Sequence, residues 1–197
     1  KRRSSVALIG ASQMGKSSLL TYLEVTRDEW LPGVPLKYVD LQNVLDEADF
    51  CETVLRALGQ PGSDLRALKW ALSGRDMVLL LDEIERLAEA DFNPRLHDLL
   101  RRLAQEKGLG LCVAAERPLT ELFPGRPGVG VSPFHNIFIT RRLEAWTAAE
   151  CRHFLTTRLA DSGLHFNEME LTALIGASQG NPARLQYLAW ELAEQKL

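Results

Sequence analysis

The stretch Leu8 to Leu20, LIGASQMGKSSLL, sets glycines, a lysine and serines between two apolar runs. Within it Gly10 to Ser17, GASQMGKS, fits the pattern G-x-x-x-x-G-K-[ST], between an apolar strand and an amphipathic helix, as a phosphate-binding loop requires. Glycines let the backbone turn back so that its N–H groups face phosphates, and the positive end of the following helix adds favourable potential. On this reading Gly10, Ala11, Ser12, Gln13, Met14, Gly15, Lys16, Ser17 and Ser18 cradle a nucleotide. Lys16 reaches the β and γ phosphates, and Ser17 ligates Mg²⁺. The alternative is a glycine-rich turn without a ligand.

A second stretch, Met77 to Leu87, reads MVLLLDEIERL: an apolar strand that ends in acids. Asp82 is placed to hold the Mg²⁺ water shell and Glu83 to polarise a water for attack on a γ-phosphate. This is a Walker B arrangement with a second acid. Taken by itself it could equally be a buried strand ending at a charged surface turn, so the phosphate loop upstream carries much of the reading.

Outward from these motifs, VALIG, LKYVDL, MVLLLD and LGLCVAA are short apolar runs bounded by Gly, Pro or charged residues, with a weaker fifth at NIFIT. Longer helical patterns separate them, near Gly15 to Thr26, Asp46 to Leu58, Asp64 to Leu72 and Pro94 to Glu106. That alternation predicts an α/β fold of buried parallel strands joined by crossover helices. Leu96, Leu99, Leu100 and Leu103 form one apolar stripe suited to core packing. Leu122 to Pro133, LFPGRPGVGVSP, predicts an irregular loop and a candidate for contacts in trans.

From Glu144 strand signals stop. Thr147 with Glu150 predicts a capping box for a helix through about Asp161, and two more helices follow near Glu168 to Ala177 and Pro182 to Gln195. Pro182 suits a first helical position with Asn181 as its cap. Trp70 and Trp190 read as helix packing rather than base-stacking platforms. Cys151 and His153 do not share a helix face, so no metal pattern emerges.

The 197 residues are 46% hydrophobic and 25% charged, which suits a globular core, and no apolar run approaches the roughly 20 residues of a membrane span. Cys51, Cys112 and Cys151 lack paired spacing, which argues against a disulfide framework or a zinc site and makes the cytoplasm the expected location. A net charge of −3 does not support strong nonspecific nucleic-acid binding by this segment, and Lys1, Arg2 and Arg3 are too short a run to alter that. Lys1 in place of Met, close before the first strand, leads us to expect a segment of a longer multidomain chain.

The four stretches LIGASQMGKSSLL, LLLDEIERL, VAAERPL and GNPARLQYLAWEL together resemble P-loop ATPases of the additional-strand kind. Within that kind, the similarity is to the STAND signalling ATPases and the related origin-recognition-type AAA-plus ATPases. The resemblance implies a parallel sheet of order 5-1-4-3-2 sandwiched by helices, followed by a small all-α lid. It implies a nucleotide-binding core over residues 1–142 and a lid over 143–197.

Roles follow from the same resemblance. Glu116 and Arg117 fall where this group senses the γ-phosphate, and Arg117 looks like the sensor arginine of STAND members. The Asn or Thr more usual in AAA-plus enzymes is absent there. Gly180 and Pro182 fall where a STAND lid lines the adenine pocket, and Arg184 where AAA-plus lids carry a second sensor arginine. Against these stand a surface arginine before a proline turn and a well-capped helix. Arg126, in the Pro/Gly loop, and Arg141 or Arg142, after the fifth strand, are candidates for an arginine donated to a neighbouring subunit, against the commoner alternative of an ordinary surface residue.

The implied activity is that of a slow, regulatory, Mg²⁺-dependent ATPase. As a STAND-type switch it would pass its ATP or ADP state to flanking domains and could form a homo-oligomer with ATP. The alternative is a DNA-associated AAA-plus loader or initiator.

Overall fold

The computed structural model describes residues 4–105, 108–125, 132–160 and 162–196. Arg126 and the basic triplet at residues 1–3 lie outside them. By contact the described chain divides into two units, Lys1–Gly10 with Lys16–Arg142, and Ala11–Gly15 with Leu143–Leu197.

The first unit holds five strands, β1 Ser5–Ile9, β2 Leu36–Asp40, β3 Met77–Asp82, β4 Leu109–Ala115 and β5 Phe138–Arg142. All pair in parallel, in the order β2-β3-β4-β1-β5. Read from the other edge this is the expected 5-1-4-3-2. The runs MVLLLD and LGLCVAA are β3 and β4 residue for residue. Their continuous apolar character reflects burial on both faces: Leu79, Leu80, Leu81, Leu111 and Val113 are all shielded from solvent.

The weak fifth signal, NIFIT, is displaced in the structure. Asn136 sits in a 3₁₀ turn, Phe134–Ile137, and β5 begins only at Phe138. Pairing explains the shift, because β1 offers five partners, from Ser5 opposite Phe138 to Ile9 opposite Arg142. Arg141 and Arg142 are therefore inside the strand instead of after it. As an edge strand β5 is largely exposed, which also explains its weak apolar signal.

The helices of this unit are α1 Lys16–Val25, α2 Arg27–Trp30, α3 Glu47–Ala57, α4 Leu65–Leu72, α5 Pro94–Gln105 and α6 Leu119–Leu122. Asp46 and Asp64 cap α3 and α4 by accepting from the Asp49 and Ala67 N–H groups, which fixes where these helices start. On α5, Leu96, Leu100 and Leu103 are buried, as the stripe predicts. A 3₁₀ turn, Ile84–Ala88, follows β3 directly. The two short helices α2 and α6 escape sequence periodicity because a four-residue helix spans barely one turn.

The helical part of the second unit comprises α7 Ala148–Leu159, α8 Glu168–Ser178 and α9 Pro182–Glu194. The capping box of Thr147 and Glu150 is present, and Asn167 and Glu170 form another at α8. Cys151, Leu155, Phe166, Leu171, Leu174 and Leu185 build a core of their own. Gly180 precedes α9 with φ +73, and its carbonyl accepts from the Trp146 N–H at 2.8 Å. A Cβ there would meet the Trp146 carbonyl oxygen at 2.4 Å, so close backbone approach requires glycine.

The reading of the tryptophans needs correction. Trp70 is 74% exposed and Trp190 58%, neither packed inward. On α4 the inward stripe is Leu68, Ala71 and Leu72, and on α9 it is Leu185 with Leu188, Ala189 and Leu192, so both indoles lie off their helix's buried face. Among the described residues no helix is long and apolar enough to cross a membrane.

Candidate active site

Parallel pairing brings the carboxyl ends of the strands together, the edge at which open α/β sheets present ligand-binding loops. The register puts Ile9 opposite Ala115, and the next residue, Gly10, donates its N–H to the Ala115 carbonyl at 3.1 Å. Asp40 lies opposite Asp82 on the neighbouring pair. Thus the start of GASQMGKS, the end of LLLDE and the AER segment after β4 share one edge.

After Gly10 the chain makes its turn with Gln13 at φ 63 and Gly15 at φ 86. A Cβ at Gly15 would meet nothing within 4 Å, so glycine serves the left-handed backbone there and not a space limit. Lys16 opens α1 and is only 6% exposed. Its Nζ donates to the Gly10 carbonyl at 2.9 Å and lies 3.9 Å from Glu116 Oε1. Ala11, Ser12, Gln13, Ser17 and Ser18 are exposed around it, and Met14 is half-buried.

Asp82 ends β3 at 2% exposure. Both its carboxylate oxygens are engaged: the Tyr38 hydroxyl donates to Oδ2 at 2.9 Å and the Glu83 N–H to Oδ1 at 3.1 Å. Burial, and then the hydrogen bond to Asp82, push the Tyr38 phenol above its ordinary range, so this hydroxyl stays a donor. Glu83 takes a left-handed conformation, φ 54, ψ 49, uncommon outside glycine and found where a side chain must be aimed. Its carboxyl is raised above the usual value by burial first, then by Glu85 and Asp82; Lys16 opposes the shift and Glu116 adds to it.

Two participants were missed by the sequence reading, Tyr38 and Glu85. Glu85 Oε1 accepts from the Glu116 N–H and, at 3.4 Å, from the Arg117 N–H. Arg117 itself is exposed at the β4 end. The structure thus brings together Gly10, Lys16, Asp82, Glu83 and Glu116.

Pro182 and Arg184 belong to the helical unit. Pro182 opens α9 and Asn181 caps it, accepting from the Arg184 N–H at 2.9 Å, while the Arg184 side chain is exposed. Arg141 and Arg142 are exposed on β5. Among the described residues no cluster of His, Cys, Asp or Glu has the makings of a metal site formed by protein ligands alone.

These residues fit a nucleotide with a hydrated divalent cation. The loop leads into the N-terminus of a ten-residue helix, its lysine is held at the loop, Ser17 is open to solvent, and a buried carboxylate stands at the end of β3.

The profile of the AAA domain family matches residues 1–123. Among solved structures the chain is similar to the Aeropyrum pernix ORC1 protein in complex with DNA, at 21% identity and a TM-score of 0.69, covering 100% of this chain and 56% of that one. It is similar to the Aeropyrum pernix ORC2 protein in its ADPNP-ADP complexes, at 15% identity and a TM-score of 0.71, covering 96% and 55%. Domain III of the Thermotoga maritima replication initiation protein DnaA aligns at 14% identity and a TM-score of 0.65, covering 98% and 75%. The chain spans little more than half of the two ORC proteins. No curated protein matches it. With most of its length matched by that profile and its sheet in the order the family resemblance implies, the chain belongs to the AAA domain family and has the fold of origin-recognition-type AAA-plus P-loop proteins.

Proposed function

We propose that this chain binds ATP and hydrolyses it slowly, as a STAND-type switch module that passes its nucleotide state to flanking domains. The observation that carries the proposal is that Lys16, buried and donating to the Gly10 carbonyl after β1, and Asp82, buried at the end of β3, lie at the same edge of one parallel sheet. In this reading the loop from Gly10 to Ser18 receives the phosphates, with Lys16 on the terminal ones. Ser17 and Asp82 would hold Mg²⁺, which neutralises charge on the phosphate oxygens when bound. Tyr38 fixes the Asp82 carboxylate by donating to it.

Glu83 orients the attacking water and takes its proton. A carboxyl raised toward neutrality by burial and by its acidic neighbours is better matched to that task than an ordinary one. Arg117 senses the terminal phosphate from the end of β4. Pro182 and Arg184, at the start of α9, contact the nucleotide from the lid, residues 143–197. A lid contact of different strength with ATP and ADP converts phosphate status into a conformational preference.

Titration of ATP into wild type and variants tests this. Glu83→Gln should bind ATP as wild type does yet hydrolyse it about 10²-fold or more slowly. Normal turnover in that variant would remove Glu83 from the role.

A second reading, a DNA-associated loader or initiator, is favoured by the likeness of the fold to the ORC1 protein in complex with DNA and to the replication initiation protein DnaA. The two readings separate on the nucleotide released when freshly purified protein is denatured. Near-stoichiometric ADP supports a switch resting in a closed state, whereas an empty protein that turns over added ATP, and binds DNA with strong salt dependence, supports the loader.

A further inference from the structure

We propose that Glu85 is a positioning residue that ties the turn carrying the water-activating Glu83 to the segment carrying Glu116 and Arg117. The inference rests on the ATPase reading above and adds a residue to it.

Glu85 lies in the 3₁₀ turn that follows β3, and the two N–H groups it binds lie beyond β4, 31 and 32 residues further along the chain. One carboxylate oxygen, Oε1, serves both N–H groups. Successive N–H groups that converge on one anion form a fixed positive concavity, and a carboxylate is the side chain that fills it with the strongest hydrogen bonds.

The other oxygen, Oε2, is buried and has no hydrogen-bond partner among the described residues. A buried acceptor without a donor is costly, and the like charge of Glu83 stands nearby. An apolar residue would avoid both costs. What the Oε1 acceptor provides in return is the pair of bonds to Glu116 and Arg117.

Those bonds close a circuit. Lys16 Nζ reaches the Gly10 carbonyl and approaches the Glu116 carboxylate; the Gly10 N–H bonds to Ala115; and Glu85 holds the backbone of Glu116 and Arg117 against the turn that begins with Glu83. The phosphate loop, the sensor segment and the catalytic turn are joined through these contacts. A displacement of Glu116 or Arg117 is thereby transmitted to the backbone beside Glu83.

The test compares Glu85→Ala and Glu85→Gln with wild type in three measurements. These are kcat and KM for ATP, the Kd of a nonhydrolysable ATP analogue, and amide hydrogen exchange of the segment containing Glu116 and Arg117. Glu85→Ala should lower kcat about tenfold or more, leave Kd within about threefold, and speed exchange at Glu116 and Arg117. Glu85→Gln keeps an oxygen acceptor and should restore kcat to within about threefold and protection to the wild-type level.

Wild-type kcat in Glu85→Ala, or equal impairment of the Ala and Gln variants, would overturn the positioning role while leaving the ATPase reading standing. A wild type that neither binds nor hydrolyses ATP would overturn both, and the unmutated protein alone reports that outcome.

Discussion

Asp82 is a buried carboxylate whose two oxygens each have a donor, so its aim is fixed before any ligand arrives. Tyr38→Phe removes one donor without changing shape, and should weaken nucleotide turnover by about tenfold or less, in keeping with one lost hydrogen bond to a charged group. Steady-state kinetics with a thermal melt as control checks this; a wild-type rate would show that the hydroxyl is dispensable. Gly15→Ala has room for its methyl group but must hold φ 86, a left-handed strain of about 1–2 kcal/mol. It should appear as weaker ATP binding in calorimetry. Lys16, Asp82 and Glu83 were legible in the sequence because their chemistry is written in contiguous motifs. Tyr38 and Glu85 were not, because each reaches its partner through strand register or a 3₁₀ turn, contacts separated by 44 and 31 residues.

At the scale of elements, caps and stripes carry most of the local specification. Glu150 accepts from the N-cap residue Thr147, and Glu170 accepts from Lys196 first and then from the N-cap residue Asn167; these hydrogen bonds hold both carboxyls below the ordinary glutamate value. A depressed folded-state value means that their stabilisation is full above the ordinary value of about 4.3 and is lost as pH falls through the depressed one. Thermal melts of the helical unit should therefore show α7 and α8 weakening below pH about 4, and Glu150→Gln should blunt that dependence. Acid melts indistinguishable between wild type and the variant would count against the capping box as the cause. Gly180→Ala should destabilise the same unit by about 2 kcal/mol or more, because its φ is left-handed and its Cβ would strike the Trp146 backbone. Helix starts at Asp46, Asp64, Thr147 and Asn181 could be read because capping is local chemistry. Trp70 and Trp190 suit helix packing by residue type alone, but their phase relative to the leucine stripes on α4 and α9 places both off the buried face.

For the whole molecule, the legible part was the alternation of apolar runs with helices; the order in which the strands pair was not. Periodicity marks Ala7, Leu79 and Val113 as buried but contains nothing that seats β1 between β4 and β5. The family resemblance implies that order, and the observed β2-β3-β4-β1-β5 bears it out. Each unit has a core of its own, so core substitutions act on the unit that contains them. Leu185→Ala, at a fully buried position of α9, should cost the helical unit about 2–5 kcal/mol, measured by denaturant unfolding followed with probes in each unit. The central claim is that GASQMGKS binds the phosphates of ATP through Lys16. Its most direct test is calorimetric titration of Mg-ATP into wild type and Lys16→Ala. The account predicts one-to-one binding by wild type and none by the variant; equal binding by both, or binding by neither, would contradict it.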